Sequence, residues 1–221
     1  MNPTSIEWTD RTWNPVHGCR FGCKYCYAKG IAERFPQTFP TGFEPMFRPE
    51  RLGEPAADRR PRKIFVSSMG DLFGAWVPDE WITAVLDAAR ASPRHTFQFL
   101  TKAPDRYASF DLPPNGWYGA TVDDAAAVGR LDALRELDAI TFVSFEPLLG
   151  AIDPDLSGID WVIVGALSRA GRVPAMLPDR EWVDRIVARA REAGAAVFLK
   201  DSLDEFGIGT IQEYPRTGRT A

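Results

Sequence analysis

The chain reads as short, nearly continuous apolar runs separated by stretches whose apolar positions recur at helical spacing. The runs are Ile64-Phe65-Val66, Thr96-Phe97-Gln98-Phe99-Leu100, Gly116-Trp117-Tyr118-Gly119-Ala120, Ile140-Thr141-Phe142-Val143-Ser144-Phe145, Trp161-Val162-Ile163-Val164 and Ala195-Ala196-Val197-Phe198-Leu199. Runs of this length, without strict polar alternation, suit strands buried on both faces. Helical spacing appears at 27–35 (Ala28, Ile31, Ala32, Phe35) and after Pro78-Asp79-Glu80 (Trp81, Ile82, Val85, Leu86, Ala89). It returns from 123 to about 137 and over 180–193 (Trp182, Val183, Ile186, Val187, Ala190). A weaker strand is expected within 7–16, where bulky and polar residues roughly alternate up to Pro15. Parallel strands need crossover helices, so seven strands arriving every ~20–35 residues predict an α/β fold. The expected architecture is a partial or complete (β/α) barrel, with parallel strands inside and helices outside. The C-terminal ends of such strands open on one face, where the loops build a site.

One composition runs through all 221 residues, which predicts a single domain over 1–221. Two stretches fall outside the pattern: a Pro/Arg-rich insertion at about 36–63 and a C-terminal extension at about 204–221. The insertion holds six prolines and the basic residues Arg48, Arg51, Arg59, Arg60, Arg62 and Lys63. It is longer than an ordinary structureless connection. A lid that meets phosphate is one reading of it; a solvated loop is the other. The net charge of −4 does not mark the whole chain as a nucleic-acid binder, so any basic surface is local. No run approaches the ~20 apolar residues that span a bilayer, and the start lacks a basic apolar leader. A cytoplasmic location without membrane association is expected, and it suits reduced thiols.

Chemistry concentrates in Cys19-Arg20-Phe21-Gly22-Cys23-Lys24-Tyr25-Cys26, which contains all three cysteines of the chain. Three thiolates at this spacing can ligate three irons of a cubane cluster and leave the fourth open to a small molecule. A Cys₃His zinc site using His17 and a set of buried structural thiols are the competing readings. Polar residues follow the predicted strands: Asp71, Thr101, Lys102, Thr121, Asp123, Ser144, Glu146, Ser168, Lys200 and Asp201. Glu146 stands out among them as a carboxylate that could bind a cation or serve as an acid or base. His95 reads as a loop residue before a strand, while His17 adjoins the cysteine loop.

Glu7-Trp8-Thr9, Thr12-Trp13-Asn14-Pro15, Gly18-Cys19, Ser68-Met69-Gly70-Asp71-Leu72-Phe73, Leu100-Thr101-Lys102, Ser144-Phe145-Glu146-Pro147-Leu148-Leu149-Gly150 and Asp160-Trp161-Val162-Ile163-Val164-Gly165 together resemble the phage Gp37/Gp68 family. These are radical-SAM-like proteins of phages and bacteria, and the resemblance runs from 7 to about 203. Many members space the first two cysteines further apart; here the spacing is that of ordinary radical S-adenosylmethionine (SAM) enzymes. Members often carry Gly-Gly-Glu-Ser-Gly after the sixth strand, where this chain has Gly165-Ala166-Leu167-Ser168-Arg169-Ala170-Gly171, so no role of that glutamate carries over.

The resemblance implies a barrel of the radical SAM type with a [4Fe–4S] cluster on Cys19, Cys23 and Cys26. The open iron would take the amino and carboxylate groups of SAM, and one-electron reduction would yield a 5′-deoxyadenosyl radical. It places the Tyr25 backbone near the adenine, Ser68 and Asp71 near the SAM amino group, and Thr121 and Asp123 near the ribose. A one-electron reductant such as flavodoxin or ferredoxin is the implied partner. Glu146, Lys102 and Lys200 are the candidate catalytic residues, and the phage-type resemblance with the arginine-rich insertion leans toward a nucleotide or nucleic-acid substrate. The alternatives are a non-catalytic iron–sulfur or zinc-binding module and a β/α-barrel hydrolase using Glu146 and Asp71.

Overall fold

A computed structural model describes residues 1–169, 173–206 and 211–216. In chain order the elements are β1 (Arg11–Trp13), β2 (Val16–His17), α1 (Tyr27–Arg34), β3 (Met46–Phe47), α2 (Glu54–Ala57), β4 (Lys63–Val66), α3 (Asp79–Arg90), β5 (Thr96–Thr101), β6 (Gly116–Thr121), α4 (Arg130–Arg135), β7 (Ile140–Phe145), β8 (Trp161–Val164), α5 (Arg180–Glu192) and β9 (Ala196–Leu199). Seven strands form one sheet in the order β1-β4-β5-β6-β7-β8-β9, while β2 and β3 form a separate antiparallel pair. The pairings β1–β4, β4–β5, β7–β8 and β8–β9 are parallel. Strand order follows chain order without reversal, the topology of a β/α barrel rather than of a doubly wound sheet. The order begins at β1 and ends at β9, so this mixed α/β fold fits a partial barrel. No helix among the described residues is long and apolar enough to cross a membrane.

The chain packs as two compact units, one mainly Met1–Trp117 and the other mainly Tyr118–Arg169 with the chain from Pro174 onward. In the first, Trp13, Ile64, Phe73, Phe97 and Phe99 are buried core residues. Acidic Asp79 and Glu80 open α3, where they complement the helix dipole, and Ile82, Val85, Leu86 and Ala89 form its buried face. The insertion, expected as a long Pro/Arg-rich stretch without periodicity, carries short regular elements. Residues 36–44 run through turns, after which β3 pairs with β2, Pro49–Arg51 makes a 3₁₀ turn and α2 follows. Acids interleaved with the arginines explain the difference. Arg51 pairs with Glu54 at 2.7 Å, Arg48 with Glu50 at 3.3 Å, Arg62 with Asp58 at 3.4 Å and Lys63 with Asp10 at 3.8 Å. The Arg51 carbonyl also accepts the Trp13 indole N–H at 2.8 Å, tying the segment to the core. His95 does precede a strand, yet it is buried, with Nε2 2.9 Å from the Pro55 carbonyl oxygen.

In the second unit β7, β8 and β9 are almost wholly buried, and α5, whose buried residues are Val183, Ile186 and Ala190, packs on β8 and β9. The helix expected from 123 to 137 is broken into a 3₁₀ turn, Ala125–Ala127, and the short α4. Asp124 caps the turn by accepting the Ala127 amide at 3.2 Å, and Gly129 follows before α4 starts. Part of the expected C-terminal extension is also structural. Leu199 N–H donates to Ile211 O at 2.7 Å and Glu213 N–H to Val197 O at 2.9 Å, covering the outer edge of β9. Residues 207–210 and 217–221 of that extension lie outside the described residues.

Candidate functional site

Asn14 and Pro15 turn the chain from β1 into β2, and the cysteine loop follows. Gly18 takes φ +88°, and its amide donates to Met69 O at 2.9 Å. The approach to the loop after β4 is close enough that a Cβ on Gly70 would sit 2.7 Å from the Gly18 carbonyl oxygen, and one on Gly18 would sit 2.3 Å from the Glu44 carbonyl oxygen. Only glycines allow this contact. Cys26 closes the loop as N-cap of α1, its Sγ accepting the Lys29 amide at 3.4 Å. All three thiols are half-buried and outside any disulfide. Burial pushes the Cys19 thiol up to about 12, against a hydrogen bond from the Phe21 backbone, and negative charge on Asp71, Cys23 and Cys26 adds to the shift. The three sulfurs and Asp71 therefore share one electrostatic neighbourhood. Among the described residues no three His, Cys, Asp or Glu side chains converge where a single ion could be held. A cubane takes one thiolate per iron and so asks for separated sulfurs. In kind, three cysteines outside any disulfide on one loop fit such a centre.

The ends of β4 and β5 meet this loop through a polar network. Ser67 has φ +57°, a left-handed conformation that costs a non-glycine residue of order 1–3 kcal/mol, and its amide donates to Trp13 O at 2.7 Å. Buried Asn14 holds the next turn: its Oδ1 accepts Met69 N–H at 2.9 Å and Ser68 Oγ–H at 3.2 Å. Tyr27 Oη donates to Ser68 O at 2.6 Å from the first turn of α1. Asp71 is only 6% exposed. Its Oδ1 accepts Thr101 Oγ1–H at 2.6 Å and Phe73 N–H at 3.1 Å, and Oδ2 accepts Lys102 N–H at 2.9 Å. Burial raises its pKa despite these donors. Lys102 then reaches back to the cysteine loop, its Nζ 2.6 Å from Tyr25 Oη and 5.2 Å from the ring centroid.

In the second unit Phe145, Val164 and Leu199 lie in register across β7, β8 and β9, so Glu146, Gly165 and Lys200 leave the sheet side by side. Glu146 and Lys200 form an ion pair across the intervening β8, with side chains 25% and 13% exposed. Gly165 makes room for it, since a Cβ there would lie 3.0 Å from Lys200 Cδ and 3.1 Å from Glu146 Cγ. Thr121 is buried, its carbonyl accepting Arg130 at 2.7 Å, and the same guanidinium lies 3.3 Å from the Asp123 carboxylate.

Residues 3–211 match the family described as "Protein of unknown function (DUF5131)". The chain belongs to the DUF5131 family. No solved structure matches it.

In this DUF5131 member the first unit brings together Cys19, Cys23, Cys26, Tyr25, Ser68, Asp71 and Lys102. Glu146 with Lys200, and Thr121 with Asp123, form two clusters within the second. Asp71 has more protein partners than its place in the sequence shows. Both its oxygens accept from protein donors, and Glu146 is engaged by Lys200. Ser144 is buried, Ser168 is exposed, and Asp201 accepts the Gln212 side chain at 3.2 Å. Ala170 and Gly171, from the run after the sixth strand, lie outside the described residues. Sequence reading missed Asn14, whose partners lie 54 and 55 residues away. Gly70 and Gly165 carried one usable signal, a glycine where a strand gives way to a loop.

Proposed function

We propose that this protein is a radical SAM enzyme, akin to the phage Gp37/Gp68 proteins, that holds a [4Fe–4S] cluster on Cys19, Cys23 and Cys26. The observation that carries the reading is three cysteines outside any disulfide on one loop docked against the C-terminal ends of β1 and β4. When bound, the cluster and SAM supply reductive cleavage of the sulfonium to a 5′-deoxyadenosyl radical, with electrons from a carrier such as flavodoxin or ferredoxin. The chain's own residues hold the geometry. Asn14 fixes the 68–71 turn, where the SAM amino group is to be received. Asp71 orders that turn against Thr101 and Lys102 and remains the proposed carboxylate on the side of the SAM amino group. Thr121 and Asp123 remain the proposed ribose-side residues, and Glu146 and Lys200 the proposed substrate-side polar pair. A nucleotide or nucleic acid is the proposed substrate, and the cytoplasm the proposed location.

Anaerobic reconstitution with iron and sulfide tests this reading. A brown protein with about four irons per chain, bleached by reduction, is expected, together with 5′-deoxyadenosine formed from SAM. Cys19→Ala, Cys23→Ala and Cys26→Ala should each lose the cluster while keeping the wild-type circular dichroism, because the loop lies outside the hydrophobic core. One bound zinc and no iron would make the chain a zinc module instead. Full iron with unchanged SAM turnover in any of the three variants would sink the assignment.

A further inference from the structure

We infer that Lys102 is a positioning residue for the cysteine loop: it latches Tyr25 to the end of β5 and brings a positive charge to the part of the loop between Cys23 and Cys26. The inference rests on the cluster reading above. Lys102 is fixed at its base, because its amide donates to buried Asp71 and the next amide, of Ala103, donates to Thr101 Oγ1 at 3.0 Å. From that base Nζ reaches Tyr25 Oη at 2.6 Å and lies 5.2 Å from the ring centroid. Tyr25 stands between Cys23 and Cys26 in the chain, so the contact restrains the half of the loop carrying those two thiols. Tyr27, one residue past Cys26, donates its hydroxyl to Ser68 O just past the end of β4. Two phenols thus pin the loop to two neighbouring strands.

The charge has a second consequence. Lys102 is half-buried, whereas Lys24 and Lys29 of the same region are exposed. A partly desolvated charge is screened less by salt and water than an exposed one. A thiolate-ligated cluster gains one negative charge on reduction, so a fixed cation nearby favours the reduced form, and charge is among the terms that set such potentials. Lys102 therefore makes the cluster easier to reduce.

The test uses reconstituted full-length protein with Lys102→Met, Lys102→Arg and Tyr25→Phe, titrated with dithionite against redox dyes. Lys102→Met should lower the one-electron reduction equilibrium about tenfold, a midpoint shift of ~59 mV for a one-electron couple. Lys102→Arg should restore most of it. Tyr25→Phe keeps the charge and should shift the midpoint less than Lys102→Met does. In the apo-protein, trypsin should cut after Arg20 or Lys24 several-fold faster in both Lys102→Met and Tyr25→Phe than in the wild type. A Lys102→Met variant with full iron and an unchanged midpoint overturns the electrostatic role, and unchanged cleavage overturns the latch. If the wild type itself takes up no iron, the cluster reading fails, while the apo-protein cleavage still decides the latch.

Discussion

Two side chains absent and one present let the cysteine loop lie where it does. Gly18 and Gly70 bring two backbones into contact, and Asn14 offers one carbonyl oxygen to the turn that Gly70 belongs to. Gly70→Ala forces a Cβ to 2.7 Å from Gly18 O. Backbone lies on both sides, so the clash is relieved only by moving the loop, at a cost of ~1–3 kcal/mol. Asn14→Ala leaves the half-buried Met69 amide without its acceptor, a loss of at most about 1–3 kcal/mol, the cost for a fully buried group. Asn14→Asp keeps an oxygen in place and should lose much less. Urea denaturation of the three variants checks both claims. Equal losses for Asn14→Ala and Asn14→Asp would mean that Asn14 acts by packing rather than as an acceptor.

At the scale of elements, the sequence carries whatever follows from local periodicity. The apolar runs locate β4 to β9 closely, and the helical spacing of Trp81, Ile82, Val85, Leu86 and Ala89 locates α3. What it does not carry depends on partners distant in the chain. Arg51 looks like a solvated lid residue until Glu54 and the Trp13 indole are seen to bind it. Asp71 looks like an available carboxylate until Thr101 and Lys102, 30 and 31 residues on, are seen to occupy it. The segment around Glu213 is a third case, polar and without period, yet it closes the edge of β9. Its backbone pairs with Val197, its carbonyl accepts the Trp161 indole at 2.8 Å, and its carboxylate binds Arg191 and the Val197 amide. Glu213→Ala should release this cover and leave an open strand edge, which is prone to pairing between copies. Hydrogen exchange at Val197 and Leu199 should accelerate, and light scattering at high concentration should rise. Unchanged exchange at both amides would show that backbone pairing alone holds the segment.

For the whole molecule, acid is the condition that reaches the most interactions at once. Among the described residues five carboxyls are held below their ordinary pKa. Glu54 is pushed up by burial but drawn further down by Arg51 and the Met1 amine; Asp58 is lowered first by the Arg60 amide, Asp153 by Arg189, Asp155 by Ser157 and Glu213 by Arg191. A lowered folded pKa means that the unfolded chain takes up protons first. Each such group therefore contributes stability that is present above the ordinary carboxyl range and lost as pH falls through its folded value. Asp71 works the other way: burial raises its pKa, so the folded state takes its proton first, and acid removes the cost of keeping that charge buried. Five groups oppose one, and stability should fall between about pH 5 and pH 3, around the ordinary carboxyl values. Salt separates the contributions. Asp153 and Asp155 are open to solvent, and at 1 M salt, with a Debye length of about 3 Å, their pairs are largely screened. Glu54 and Asp71 are screened much less. Urea midpoints measured from pH 6 to pH 3 should decline steeply in low salt and less steeply in 1 M sodium chloride. A midpoint that rises on acidification in low salt would mean that Asp71, and not the paired surface carboxyls, governs the acid limb.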